Sequence, residues 1–212
     1  MSEYVGKASG RICLLGDNTD LIEKPALAAA ISAYLTVNLA RNANRHITLN
    51  ARDIPYTEEF ELGKPPKRES PLRYLTAVYK RLADKIDSGF DASIASEIPI
   101  SAGLSSSTAL CIGFIDAVNQ AYELGLSTAE IAELAFVVEN EDLGVECGRM
   151  DQYAIAFGGV TFRLESMNVL DGERCWERTR YVGATADGIL EEIENYCYAG
   201  GRKVALKIKT TF

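Results

Sequence analysis

The sequence is poor in residues that carry several familiar chemistries. One histidine, His46, among 212 residues argues against a histidine-based zinc site or a serine–histidine hydrolase. The five cysteines, Cys13, Cys111, Cys147, Cys175 and Cys197, are odd in number and show no C-x-x-C spacing. A reduced, cytoplasmic protein without a disulfide framework is expected. No apolar run approaches the roughly 18 residues of a membrane span. The first 30 residues lack a basic segment followed by an apolar core and a cleavage site, so neither a signal peptide nor a membrane partner is expected. Positive charge is also short: 22 Lys and Arg stand against 30 Asp and Glu, a net charge of −8. A broad nucleic-acid surface is not expected.

What is present is ordinary for a folded chain. The sequence is 47% hydrophobic and 25% charged, enough for one substantial core or two small domains. The negative charge is concentrated. Residues 101–165 hold ten acids and two arginines, which would serve either a metal ion or a solvated helix face.

Hydrophobic period places the elements. Gly10–Gly16, Tyr34–Ala40, Ile47–Ala51, Phe90–Ser96 and Val160–Leu164 read as strands, with a short one near Phe60–Leu62. Ser70 and Pro71 are expected to open a helix whose stripe is Leu72, Leu75, Val78, Tyr79, Leu82 and Ile86. Thr108–Tyr122 has little polarity and is expected to be a buried helix. Ser127-Thr128-Ala129-Glu130 is a capping box for a helix through about Asn140. Beyond Ser166 the pattern weakens, with a helix suggested over Ile189–Tyr196 and a strand over Lys203–Lys209. Strands early and helices interspersed suggest an α+β fold.

Three segments can carry chemistry. Pro99-Ile100-Ser101-Ala102-Gly103-Leu104-Ser105-Ser106-Ser107-Thr108-Ala109 passes from a strand through small residues into an apolar helix. Such a loop aims backbone N–H groups at one point and suits a phosphate; alternatively, it is only a serine-rich helix cap. It is neither a Walker loop nor a nucleophile elbow. Asp151, in the Gly-bounded stretch Gly144–Gln152, could take a proton from a hydroxyl or merely cap a helix starting near Gln152. Asp17, Asn18 and Asp20 could bind a polyhydroxylated ligand or form an Asx turn. Arg149 could serve an acidic ligand or pair with Glu146.

Together these segments resemble the galactokinase, homoserine kinase, mevalonate kinase and phosphomevalonate kinase (GHMP) superfamily. Gly10-Arg11-Ile12-Cys13-Leu14-Leu15-Gly16-Asp17-Asn18-Thr19-Asp20 is similar to the first family motif, and Pro99–Ala109 to the second. Val138-Glu139 and Cys147-Gly148-Arg149-Met150-Asp151-Gln152 are similar to a third stretch of galactokinases. The resemblance implies the N-terminal domain fold of that family, a ribosomal-protein-like two-layer α/β sandwich, over residues 1–165. Residues 166–212 would be a short divergent extension, with the ferredoxin-like C-terminal domain largely missing.

The implied activity is ATP-dependent phosphorylation of a small molecule, a monosaccharide hydroxyl above all. Asp151 would be the catalytic base, and Arg11 the cation that keeps it charged near the transferred phosphoryl. Pro99, Gly103, Leu104, Ser105, Ser106 and Ser107 would bind ATP, and Ser107 and Glu139 would hold Mg²⁺. Asp17, Asn18, Asp20 and Gly148 would contact the sugar. The chain departs from the family where galactokinases carry Glu-His and it carries Asp17-Asn18, and no third Gly-rich motif is recognisable. The alternative is a catalytically weak or inactive sugar- or nucleotide-binding regulator. Apolar surface left exposed by a missing domain would favour a homo-oligomer.

Overall fold

Alternating apolar residues build one sheet, and the helices cover one of its faces. In a computed structural model the described residues are 3–16, 21, 26–54, 56–66, 70–163, 166–170 and 173–177. Strands β1 (Glu3–Leu15) and β2 (Ala26–Arg41) form a long antiparallel pair, from Glu3 opposite Ala40 to Leu15 opposite Leu27. β3 (His46–Ala51) and β4 (Tyr56–Glu61) form a hairpin. Helix α1 (Arg73–Leu82), ending in a 3-10 turn at Ala83–Lys85, leads to β5 (Phe90–Ser96), which runs parallel to β3. Then come α2 (Ser106–Ala121), α3 (Thr128–Val137), a π turn over Val138–Asp142, α4 (Met150–Phe157) and β6 (Val160–Arg163).

The sheet order is β1-β2-β5-β3-β4. β5 pairs with Leu35–Arg41 of β2, and β6 pairs with Ala26–Ala29 of the same strand. β7 (Ser166–Leu170) and β8 (Glu173–Glu177) form a separate antiparallel pair. This is the expected α+β class. The helix and strand suggested beyond residue 188 lie outside the described residues.

Burial follows period two in the strands. Ile47, Leu49 and Ala51 of β3, and Phe90, Ala92 and Ile94 of β5, are buried. The predicted stripe of α1 is buried throughout, from Leu72 to Ile86. Its start differs from the expectation: Ser70 Oγ accepts from the Leu72 N–H at 3.2 Å, closing a tight turn, and the helix begins at Arg73. Helix α2 is the buried helix its composition predicts, with Phe114, Ile115, Ala117 and Val118 fully covered. It lies so close to β1 that a Cβ on Gly6 would stand 1.9 Å from the Gly113 carbonyl oxygen. Only glycine permits that approach. The capping box at Ser127 forms in both directions. No helix among the described residues is long and apolar enough to cross a membrane.

One irregularity in the sheet sets the direction of Arg11. In the first half of β1, Gly6 and Ala8 sit opposite Val37 and Leu35, on the face that meets α2. After Ser9 opposite Tyr34, the next pair is Arg11 opposite Ala30, so the register shifts. Beyond the shift, Cys13 pairs with Ala28 and packs with Ala26, Met150 and Ala154. The helix-facing residues are thus even-numbered before the shift in β1 and odd-numbered after it, and β2 changes parity the opposite way. A bulge does this because a strand alternates faces every residue. It turns Arg11 toward the helices, where strict alternation from Ala8 would have turned it away.

Candidate functional site

Arg11 crosses from the sheet to the first turn of α4. Its Nε lies 2.7 Å from Asp151 Oδ1, and its Nη2 lies 2.7 Å from Oδ2. This is the bidentate fork that a guanidinium makes best. The two side chains are only 12% and 22% exposed, so the pair is screened little by solvent. Arg11 also donates from Nη1 to the Gly103 carbonyl at 2.8 Å, and its backbone N–H donates to the Leu104 carbonyl at 3.2 Å. One arginine therefore joins the aspartate to the loop that precedes α2.

That loop has an unusual backbone. Ser101, Gly103 and Ser105 all have positive φ, at 59°, 71° and 57°. A left-handed serine costs about 1 kcal/mol or more and persists only where its surroundings hold it. Ser105 is the N-cap residue of α2, yet its side chain makes no capping bond. Its hydroxyl donates instead to Asp151 Oδ2. The first turn of α2 contains no acidic residue. The serine run is therefore not the self-contained cap that composition also allowed. The first N–H groups of α2 have no side-chain cap, at the positive end of a helix dipole.

Asp151 is likewise not a capping residue. Helix α4 starts at Met150, its N-cap is Arg149, and it has no side-chain cap. Asp151 lies in the first turn with its carboxylate spent on Arg11 and Ser105.

Below this pair is a buried carboxylate. Glu139 is 2% exposed and sits on the π turn, a feature frequent at functional sites. Thr108 Oγ1 donates to Glu139 Oε2 at 2.8 Å, with Oε1 at 3.1 Å. Gln152 Nε2 donates to Oε2 at 2.7 Å, and Ser107 lies close enough to influence the same carboxylate. Burial leaves the Glu139 carboxyl above the ordinary range, the donors from Gln152 and Thr108 offsetting only part of the rise.

The donor set is compatible with Mg²⁺. Among the described residues no three His, Cys, Asp or Glu side chains cluster as a dedicated metal cage. Mg²⁺ commonly takes one or two protein oxygens and fills its octahedron with water and phosphate. A serine hydroxyl beside a glutamate supplies two hard oxygens. With Thr108 and Gln152 as its donors, the carboxylate also keeps acceptor directions to spare.

The structure thus brings together Arg11, Gly103, Leu104, Ser105, Ser107, Glu139 and Asp151. Ser106 is the first helical residue beside them. Pro99 stands exposed at the start of the loop and Gly148 lies half-buried just before α4; neither is hydrogen-bonded to the Arg11–Asp151 pair. Asp17, Asn18 and Asp20 lie outside the described residues.

Arg149 requires a correction. Its partner is Glu133 of α3, at 2.8 Å from Nη2 and 3.0 Å from Nε, not Glu146. Its guanidinium also lies 3.9 Å from the centre of the Phe136 ring. The packing of α3 on α4 presents Glu133 and Phe136 together, which spacing along the chain could not reveal. Sequence reasoning also missed Thr108 and Gln152 as partners of Glu139. The available signal for Thr108 was the fourth consecutive hydroxyl residue, one more than the phosphate loop used.

The fold and the joined loop, arginine and aspartate define a class. The chain carries a GHMP kinase N-terminal domain: residues 73–159 match the family model described as "GHMP kinases N terminal domain". A galactokinase of Actinobacillus pleuropneumoniae serotype 3 (strain JL03) is 33% identical over 156 residues, covering 71% of this chain and 41% of the relative. A D-glycero-alpha-D-manno-heptose 7-phosphate kinase of Campylobacter jejuni is 31% identical over 161 residues, covering 72% of this chain and 48% of the relative. Lactococcus lactis galactokinase, solved in complex with galactose, superposes with a TM-score of 0.73 at 25% identity, covering 85% of this chain and 47% of that one. The chain is therefore related to the sugar kinases of this family, and it spans under half the length of these curated relatives.

Proposed function

We propose that this chain is the catalytic N-terminal half of an ATP-dependent kinase acting on a monosaccharide hydroxyl. The observation that carries the reading is the Arg11–Asp151 fork tied to the Gly103–Ser107 loop. Phosphoryl transfer needs positioning and charge neutralisation more than covalent chemistry by the protein. Backbone N–H groups of Gly103–Ser107 and the start of α2 receive the phosphates, and Pro99 and Leu104 shape the loop.

Asp151 orients the acceptor hydroxyl and takes its proton. Arg11 holds both carboxylate oxygens in one plane, so that the aspartate cannot rotate away. The Ser105 hydroxyl marks a direction from which a hydroxyl donates to Asp151. Ser107 and Glu139 would hold Mg²⁺, which when bound neutralises charge on the phosphates. Asp17, Asn18, Asp20 and Gly148 are assigned to the sugar on the resemblance alone.

The test is an ADP-release and thermal-shift panel on the full 212-residue chain, with Mg·ATP and a set of monosaccharides and uronic acids. Sugar-dependent ADP release that disappears in Asp151→Asn supports the kinase. Ligand-induced stabilisation without ADP, unchanged in Asp151→Asn, supports a binding protein instead. Neither stabilisation nor turnover with any ligand contradicts both.

A further inference from the structure

The Ser107–Glu139 assignment uses only part of the buried network around it. Glu139, on the π turn, meets two other elements. Thr108 of α2 and Gln152 of α4 both donate to its Oε2, at 2.8 and 2.7 Å. All three residues are almost fully enclosed: Thr108 and Glu139 are 2% exposed and Gln152 is 0% exposed. Gln152 Nε2 also approaches Cys147 Sγ at 3.8 Å.

The amide of Gln152 cannot be turned over, because its oxygen would then face the carboxylate. Held as it is, Gln152 Oε1 is a buried oxygen without a hydrogen-bond partner. An unsatisfied buried polar atom costs about 1–3 kcal/mol. A residue chosen for packing alone would be apolar here. The cost is offset only by what Nε2 does, and Nε2 reaches Glu139.

The positions of the two donors along their helices are informative. Thr108 directly follows Ser107, and Gln152 directly follows Asp151. Each helix therefore presents one group proposed for the reaction and, at the next position, one donor that fixes Glu139. If Ser107 turns its oxygen toward a cation, Thr108 and Gln152 still hold the carboxylate.

We propose that Thr108 and Gln152 are the positioning residues that hold the Glu139 carboxylate in place for a divalent cation, coupling the phosphate loop on α2 to the aspartate on α4 through one buried acid. This rests on the reading of Ser107 and Glu139 as cation ligands. Neighbours of this kind typically change metal affinity by about 10- to 100-fold when removed.

The experiment uses Mn²⁺ as the probe, with the intact chain loaded with ADP, and follows free Mn²⁺ by electron paramagnetic resonance. Thr108→Val and Gln152→Met are expected to weaken Mn²⁺ binding by about 10-fold or more, whereas Thr108→Ser, which keeps the hydroxyl, stays within about twofold of wild type. Binding of ADP without metal is expected to be unchanged in all three, which a merely structural defect would not allow. If Gln152→Met fails to fold, the Thr108→Val and Thr108→Ser pair decides. Folded Thr108→Val that binds Mn²⁺ like wild type overturns the inference while leaving the kinase reading intact. Wild-type protein that binds ADP but no Mn²⁺ overturns the cation assignment and the inference with it.

Discussion

Arg11 reaches Asp151 only because β1 and β2 change faces together at Ser9–Arg11. At that residue the chain spends an irregular register to bring a cation to the helix layer. The consequence for stability is direct. Arg11→Met removes two charged hydrogen bonds to a mostly enclosed carboxylate, and we expect a loss of about 2 kcal/mol in urea unfolding. An unchanged midpoint would show that the pair is not formed in solution. Cys111 provides a second residue-scale test. It is fully buried, and burial, with help from the Glu139 and Cys147 charges, pushes its thiol well above the ordinary value. The thiolate is therefore scarce in the folded protein across neutral and mildly alkaline pH. Iodoacetamide is expected to leave Cys111 unmodified up to about pH 9 in native conditions and to label it after unfolding, read by peptide mass spectrometry. Native labelling that rises with pH would contradict this placement of α2.

At the scale of elements, β1 and α2 approach closely, and two glycines separate the causes. A Cβ at Gly6 would lie 1.9 Å from the Gly113 oxygen and 2.7 Å from the Ala117 nitrogen, both rigid backbone. A Cβ at Gly113 would meet only the side chains of Leu35, Val37 and Ala8, at 3.3 Å and beyond. Gly6→Ala is therefore expected to destabilise by roughly 3 kcal/mol or more. Gly113→Ala is expected to fall near neutral, since its slight crowding is offset by about 1 kcal/mol of helix propensity. Equal effects in chemical denaturation would argue against the close approach.

The π turn is the other element with a clear task. It displaces Glu139 inward while Arg81 of α1 grips Asp142 at 2.6 Å and Glu141 at 3.1 Å from outside. The acids of the middle block are thus divided: Glu139 and Asp151 stand at the site, and these two join elements from outside.

On the scale of the whole molecule, the sequence was most readable where local rules act alone. Phe90–Ser96 alternates cleanly and is a strand with those ends. Ser127 and Glu130 satisfy a capping box within four residues. Where two distant segments decide the outcome, the reading fell short. The full length of β2, from Ala26 rather than Tyr34, depends on pairing with both β1 and β6. Glu133 replaced Glu146 as the partner of Arg149 because α3 packs on α4. The alternatives of a serine cap and an aspartate cap were separated by side-chain direction, which no spacing encodes. Motif order, by contrast, was enough to identify the domain family, and Arg11, Gly103, Ser105 and Asp151, drawn from all three motifs, meet at one place.

The central claim is that an anion-receiving loop and Asp151 serve one reaction from opposite sides of Arg11. Isothermal titration of Mg·ADP against wild type, Ser107→Ala and Asp151→Asn, paired with sugar-dependent ADP release from Mg·ATP, tests it most directly. The account predicts that Ser107→Ala weakens nucleotide binding by about 10-fold or more, while Asp151→Asn binds nucleotide like wild type and releases no sugar-dependent ADP. Full nucleotide affinity in Ser107→Ala together with wild-type turnover in Asp151→Asn would contradict it.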